Sequence, residues 1–97
     1  MFLEIVTPEA ILFSSNVDSV TVPGINGEFQ MLTNHAAVVS ILTKGTIKIQ
    51  VHTQDDLIFD DLHESIVSLP EDKKVLTLTI KSGTLEMKDN KAIILAD

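Results

Sequence analysis

Residues Ile47 to His52 alternate without a break: Ile47, Ile49 and Val51 are apolar, whereas Lys48, Gln50 and His52 are polar. Successive side chains of an extended chain point to opposite faces, so this stretch reads as a strand with one face on a core and the other in water. Leu76, Leu78 and Ile80 repeat the pattern after Pro70. Other short apolar segments surround these two. Leu3 and Ile5, with Phe2 and Val6, read as an N-terminal strand ended by Thr7-Pro8. Ile11 to Phe13 is a short apolar run, and Val20 and Val22 share one face of the stretch Val17 to Val22. Met31-Leu32 and Ala37 to Leu42 are further strand candidates. Lys44-Gly45 is a turn, and Ser82-Gly83 and Asp89-Asn90 are expected to turn two closing hairpins. Short strands at this density, with turn residues between them, specify an all-β sandwich or barrel.

A chain of 97 residues is expected to form a single domain with a modest core, and its 44% apolar content argues against disorder. No apolar run approaches the roughly 20 residues that span a bilayer, and the N-terminus lacks a basic region followed by an apolar one. Direct lipid insertion is therefore not expected; membrane association would go through a protein partner. The chain has no cysteine, which excludes disulfide bonds and thiol chemistry. Its formal charge of -7 is unevenly placed. Asp55, Asp56, Asp60, Asp61, Glu64, Glu71 and Asp72 fall in one segment, about 55–72, that contains no base. The other acids balance the seven lysines, and there is no arginine, so nucleic acid and anionic lipid surfaces are not expected partners.

The acidic segment is the exception to the strand pattern. Ile58, Leu62, Ile66 and Leu69 recur near helical spacing, Asp55 or Asp56 is a candidate N-cap, and Pro70 would end the element. One or two helical turns are the expectation, with an irregular excursion of an extended hairpin as the competitor, because Phe59, Ile66 and Val67 favour strands.

The densest group of chemically useful residues lies between Pro23 and Ala36. Gly24 and Gly27 suit a sharp corner, and that corner would display Glu28 and His35 on a loop. The two could in principle act as an acid–base pair, but a domain this small has little room for a deep pocket that excludes water. Ser40, Ser65 and Ser82 have no GxSxG context, and Gly24-Ile25-Asn26-Gly27 has neither the spacing nor the Lys-Ser/Thr of a phosphate loop. His63 with Asp60 offers two metal ligands where a site needs three or four. The residues favour a protein-binding module over an enzyme, with no metal, cofactor or small-molecule substrate.

Two blocks then carry a resemblance. Leu3-Glu4-Ile5-Val6-Thr7-Pro8-Glu9, Phe13-Ser14, Val17 to Gly24, Gly27-Glu28-Phe29 and His35-Ala36 resemble the N-terminal domain of the epsilon subunit of F-type ATP synthase. The run from Ser82 to Lys91, with Leu95-Ala96-Asp97, resembles the last hairpin of the same family. The resemblance implies a flattened β-sandwich of about ten strands. It further implies a non-catalytic rotor subunit of the central stalk, which clamps the gamma subunit and sits on the polar loops of the c-ring. Such a subunit would lie at the cytoplasmic face of the bacterial inner membrane and couple ion flow to ATP synthesis. The candidate interface is then Gly27, Glu28, Phe29, Met31, Leu32, Asn34 and His35, with Glu28 and His35 as polar contacts to the ring and Phe29, Met31 and Leu32 as packing beside gamma or as simple core. The alternative is a free-standing β-sandwich adaptor that binds an unrelated protein through the same loop.

The chain departs from the family pattern at Gln30, Thr33, Asn34 and Ala37, where the family usually has Gly, Pro, Gly and Pro. Asparagine tolerates the left-handed backbone that glycine fills, so Asn34 is the mildest change, and without the prolines the loop is expected to be freer before docking. The acidic segment coincides with extra length between Gly45 and Ser82, expected to extend a hairpin into solvent, with an added contact surface as the alternative. The family's C-terminal helical hairpin, which can block ATP hydrolysis, is expected to be absent from this short form.

Overall fold

The computed structural model describes residues 1–51, 66–68 and 74–97. Ten strands form: β1 (Phe2–Val6), β2 (Ile11–Asn16), β3 (Ser19–Gly24), β4 (Gly27–Leu32), β5 (Val38–Leu42), β6 (Gly45–Gln50), β7 (Val67–Ser68), β8 (Val75–Ile80), β9 (Gly83–Lys88) and β10 (Lys91–Ala96). The expected all-β class holds. The seven acids of the 55–72 segment, His52 and His63 lie outside the described residues, as does most of the expected helix. Where its end is described, the competing tendency prevails: Ile66 is buried and Val67–Ser68 pair with Thr77 and Leu76 as a strand.

Hydrogen bonding runs β2-β1-β10-β9-β5-β3-β6-β8-β7, with β4 added to β3. The link between β5 and β3 is a single pair, Gly24 with Leu42, so the path divides there into two five-stranded halves. The first half is β2-β1-β10-β9-β5 and the second is β4-β3-β6-β8-β7. Both send alternate residues into one apolar cluster: Leu3, Ile5, Leu85, Met87, Ala92 and Ile94 from the first, Val20, Val22, Met31, Ile47, Ile49, Leu76 and Leu78 from the second. The alternation read at Ile47, Ile49 and Val51, and again at Leu76, Leu78 and Ile80, is the inward face of β6, its continuation and β8.

Of the two expected closing hairpins, one forms and the other does not. Asp89-Asn90 does close a two-residue hairpin, and both residues take positive φ (52° and 62°), which matches the strand twist of an Asn-type tight turn. Ser82-Gly83 does not close a hairpin: β8 pairs with β6 and β7, whereas β9 pairs with β10 and β5. Here the chain crosses from one half to the other. Gly83 lies against the neighbouring strand so tightly that a Cβ would meet the Leu95 carbonyl oxygen at 2.5 Å.

Candidate functional site

The stretch from Pro23 to Ala36 is a hairpin rather than a displayed loop. β3 and β4 pair without a shift from Ser19↔Leu32 to Gly24↔Gly27, leaving only Ile25 and Asn26 as the turn. Neither turn residue takes positive φ; Gly27 does, at 124°, and no atom lies within 4 Å of where its Cβ would be. The residue needed there is one without a side-chain penalty in that backbone region. Phe29 lays its ring over Gly24, so that a Cβ there would meet the ring at 2.8 Å. The apolar phase of β4 therefore belongs to Phe29 and Met31, and the opposite phase to Glu28, Gln30 and Leu32.

This phase sorts the candidate residues. Met31 is fully buried, so it is core and not a contact residue; its neighbours Val20 and Val22 leave it no exposed surface. Phe29 is half-buried against the same core. Gly27, Glu28, Leu32, Asn34 and His35 are exposed. Glu28 and His35 are not brought together: β4 alone sets residues 28 and 32 about 13 Å apart, with the turn at 33–34 beyond. An acid–base pair between them has no geometry. Asn34 takes φ 64°, the left-handed backbone expected for it, and its N–H donates to Asn90 Oδ1 at 2.9 Å. The His35 N–H donates to Leu32 O at 3.1 Å, closing the chain reversal after β4. His35 Nδ1 lies 2.7 Å from the Ala36 carbonyl oxygen. A carbonyl only accepts, so Nδ1 is the donor in this contact. Among the described residues no group of three or more His, Cys, Asp or Glu side chains could hold a metal ion. No helix among them is long and apolar enough to cross a membrane.

A second surface escaped the sequence reading. On the outer face of the first half, cross-strand pairing sets Ile11 beside Val6, Val6 beside Leu95, Leu95 beside Thr84 and Thr84 beside Ile41. Directly paired residues share a face, so these form one nearly apolar row. Ile11, Leu95 and Ile41 are 64%, 53% and 59% exposed. Ile25, whose N–H donates to Ile41 O, extends the row at the β3–β4 turn. The next row is Ser14, Glu4, Ile93, Glu86 and Val39, with Val39 77% exposed. The row after that holds Phe2, Lys91 and Lys88, with the Lys91 ammonium 5.7 Å from the centre of the Phe2 ring. The signal for this face was present in the sequence: Val38 to Leu42 and Ala92 to Ala96 are almost continuously apolar where a half-solvated strand would alternate.

Comparison with known proteins agrees with the architecture. Residues 1–60 match the family described as ATP synthase, Delta/Epsilon chain, beta-sandwich domain. The ATP synthase epsilon chain of Campylobacter concisus is 36% identical over 97 residues, covering 100% of this chain and 60% of that protein. The epsilon chain of Chlorobaculum tepidum is 32% identical over 95 residues, covering 98% of this chain and 86% of that protein. Against the first of these relatives, the chain thus spans about three-fifths of the relative's length. Among solved structures, a chain of the Euglena gracilis mitochondrial ATP synthase (OSCP/F1/c-ring) superposes with a TM-score of 0.72 at 16% identity, covering 97% of this chain and 48% of that one. A chain of the Tetrahymena thermophila mitochondrial ATP synthase, central stalk and c-ring, gives 0.65 at 13%, covering 98% and 61%. At such identities the two structures speak for the fold, while the family match and the epsilon chains speak for descent. The chain belongs to the ATP synthase delta/epsilon family, through that family's β-sandwich domain.

Proposed function

We propose that this protein is a non-catalytic rotor subunit of the central stalk, docking on a gamma subunit and on the c-ring so that rotation of the ring reaches the catalytic head. The observation that carries the reading is the apolar outer face of the first half. Soluble monomers rarely leave such a row of large aliphatic side chains in water, and membership of the delta/epsilon family favours a gamma subunit as the partner that covers it. The row of Ile11, Val6, Leu95 and Ile41 with Ile25 is the gamma-facing surface, bordered by Glu4 and Glu86 on one line and by Lys88 and Lys91 on the next. The polar tip at Gly27-Glu28 is the ring contact, where an exposed carboxylate suits polar loops. Leu32, Asn34 and His35 sit at the other end of β4 from Glu28, so the ring contact first expected of His35 is here reassigned with Leu32 and Asn34 to gamma. The site so defined works at the cytoplasmic face of the bacterial inner membrane without entering the bilayer.

The test mixes the protein with a cognate gamma subunit at micromolar concentration and follows complex formation by size-exclusion chromatography and calorimetry. A stoichiometric complex is expected. The double substitution Ile41→Lys with Leu95→Lys should weaken it at least about a hundredfold, as removal of central apolar contacts does, while urea unfolding stays within about 1 kcal/mol of the parent. An unaltered complex would refute the assigned face. Absence of any complex with the parent chain would refute the rotor reading.

A further inference from the structure

We propose that the outer edge of β4 is a strand-addition site, at which an extended segment of the gamma-side partner hydrogen-bonds to the main chain of Glu28, Gln30 and Leu32. The inference rests on the rotor reading and names the mode of docking. Pro23 faces Glu28 across the hairpin and has no N–H, so that pair is a non-hydrogen-bonded one. Alternation then gives Thr21/Gln30 and Ser19/Leu32 the same character, and the main-chain groups of Glu28, Gln30 and Leu32 point away from β3. The two acceptors that can be traced agree: Pro23 O accepts from Thr43 N–H at 2.8 Å, and Leu32 O accepts from His35 N–H at 3.1 Å, neither within the β3–β4 ladder. Among the described residues β4 pairs with β3 alone, which leaves the N–H groups of Glu28, Gln30 and Leu32 with no strand beside them.

Exposed edges are normally blunted by a bulge, a proline or a lysine. The β2 edge has such a device, a register shift where Ile5 and Val6 meet it. β4 has no bulge, proline or lysine: its register is unbroken over six residues, and its one outward charge, Glu28, sits at the turn end of a row completed by Gln30 and Leu32. Beside it lies a groove of about 400 Å³ between β4 and β5, lined by Ile25, Phe29, Val38 and Val39 among others, with no lysine in its walls. Ile25 and Val39 belong also to the apolar outer face, so groove and face form one continuous surface. The occupant is therefore an extended segment with alternating apolar side chains for the groove.

Amide exchange of the full chain, read by NMR alone and in complex with cognate gamma subunit, tests this. The Gln30 and Glu28 amides should slow at least tenfold on binding, whereas Phe29 and Met31, already in the β3 ladder, change little. A second arm uses Gln30→Pro, which removes an edge N–H outside the hairpin ladder; it should keep a cooperative melt and lose at least about tenfold in affinity. A complex that forms with Gln30 and Glu28 exchanging as fast as before overturns strand addition and leaves the rotor reading standing. No complex overturns both. Protection of Gln30 that rises with the concentration of this protein alone would overturn the assigned occupant in favour of a second copy.

Discussion

Asn34 shows how one backbone angle joins two parts of the surface. Its φ of 64° places it in a region that costs an ordinary side chain about 1 kcal/mol and glycine nothing. Its N–H meanwhile reaches Asn90 Oδ1, in the turn between β9 and β10. That bond is made by the main chain of residue 34, so substitution of the side chain leaves the donor in place. The comparison of Asn34→Gly with Asn34→Ala therefore isolates the backbone angle. Asn34→Gly should melt within about 3 °C of the parent, and Asn34→Ala should melt about 4–8 °C lower, since 1 kcal/mol moves a domain of this size by that much. Equal melting temperatures for the two variants, measured by calorimetry, would show that the left-handed angle is not retained in solution. The angle was legible in the sequence, because asparagine is the usual non-glycine occupant of that region. The partner was not: Asn90 lies 56 positions away, and nothing local announces the contact.

At the scale of elements, legibility followed the pattern of burial. β6 and β8 have one wet face, so their alternation could be read directly, and Leu76, Leu78, Ile47 and Ile49 are all in the core. Only the Met31-Leu32 end of β4 reads as strand in the sequence, because Gly27, Glu28 and Gln30 interrupt its first part and only Phe29 and Met31 carry its inward phase. Leu32 hid that phase by placing an apolar side chain on the outer face. The inward assignment makes a sharp comparison between adjacent residues. Met31→Ala removes a fully buried side chain and should cost about 2–5 kcal/mol in urea unfolding. Leu32→Ala, from a position 56% exposed, should stay within about 0.5 kcal/mol. A reversed order would mean that β4 is shifted by one residue, which flips every side chain to the other face. β5 and β10 differ in the opposite way: their nearly continuous apolar runs read as strands, but the same runs also give them a second apolar face that needs cover. The same reasoning explains the crossing at Ser82-Gly83. A small turn between two apolar strands looks like a hairpin, and only the pairing of β9 with β5 and β10 shows that the chain changes halves there.

For the whole molecule, the decisive pairing is the one between the first strand and the last. β1 and β10 run parallel, from Phe2↔Lys91 to Val6↔Leu95, with β2 on one side and β9 on the other. Parallel neighbours cannot be joined by a tight turn, so this pair depends on everything between them being in place. Its register could not be read from the sequence, because neither strand carries a local mark of its partner. The energetic consequence is large, since Leu3, Ile5, Ala92 and Ile94 are all fully buried and each side of the pair covers the other. Without β10, β1 and β2 would be left as a hairpin without the central ladder, and two-stranded hairpins are marginal in water. A chain ended after Asn90 retains β1 to β9 in full, the β3–β4 hairpin among them, yet it should lose the single cooperative melt and the dispersed amide spectrum of the parent. Addition of a peptide covering Lys91 to Asp97 should restore both in proportion to its concentration, because a missing central strand is an occupant the remaining fold can bind. A shortened chain that melts cooperatively within a few degrees of the parent would show that the two halves are held by the second half and the β5–β3 joint alone. In that event the apolar row through Leu95 would not be a rigid docking surface, and the gamma-facing assignment would fail with it.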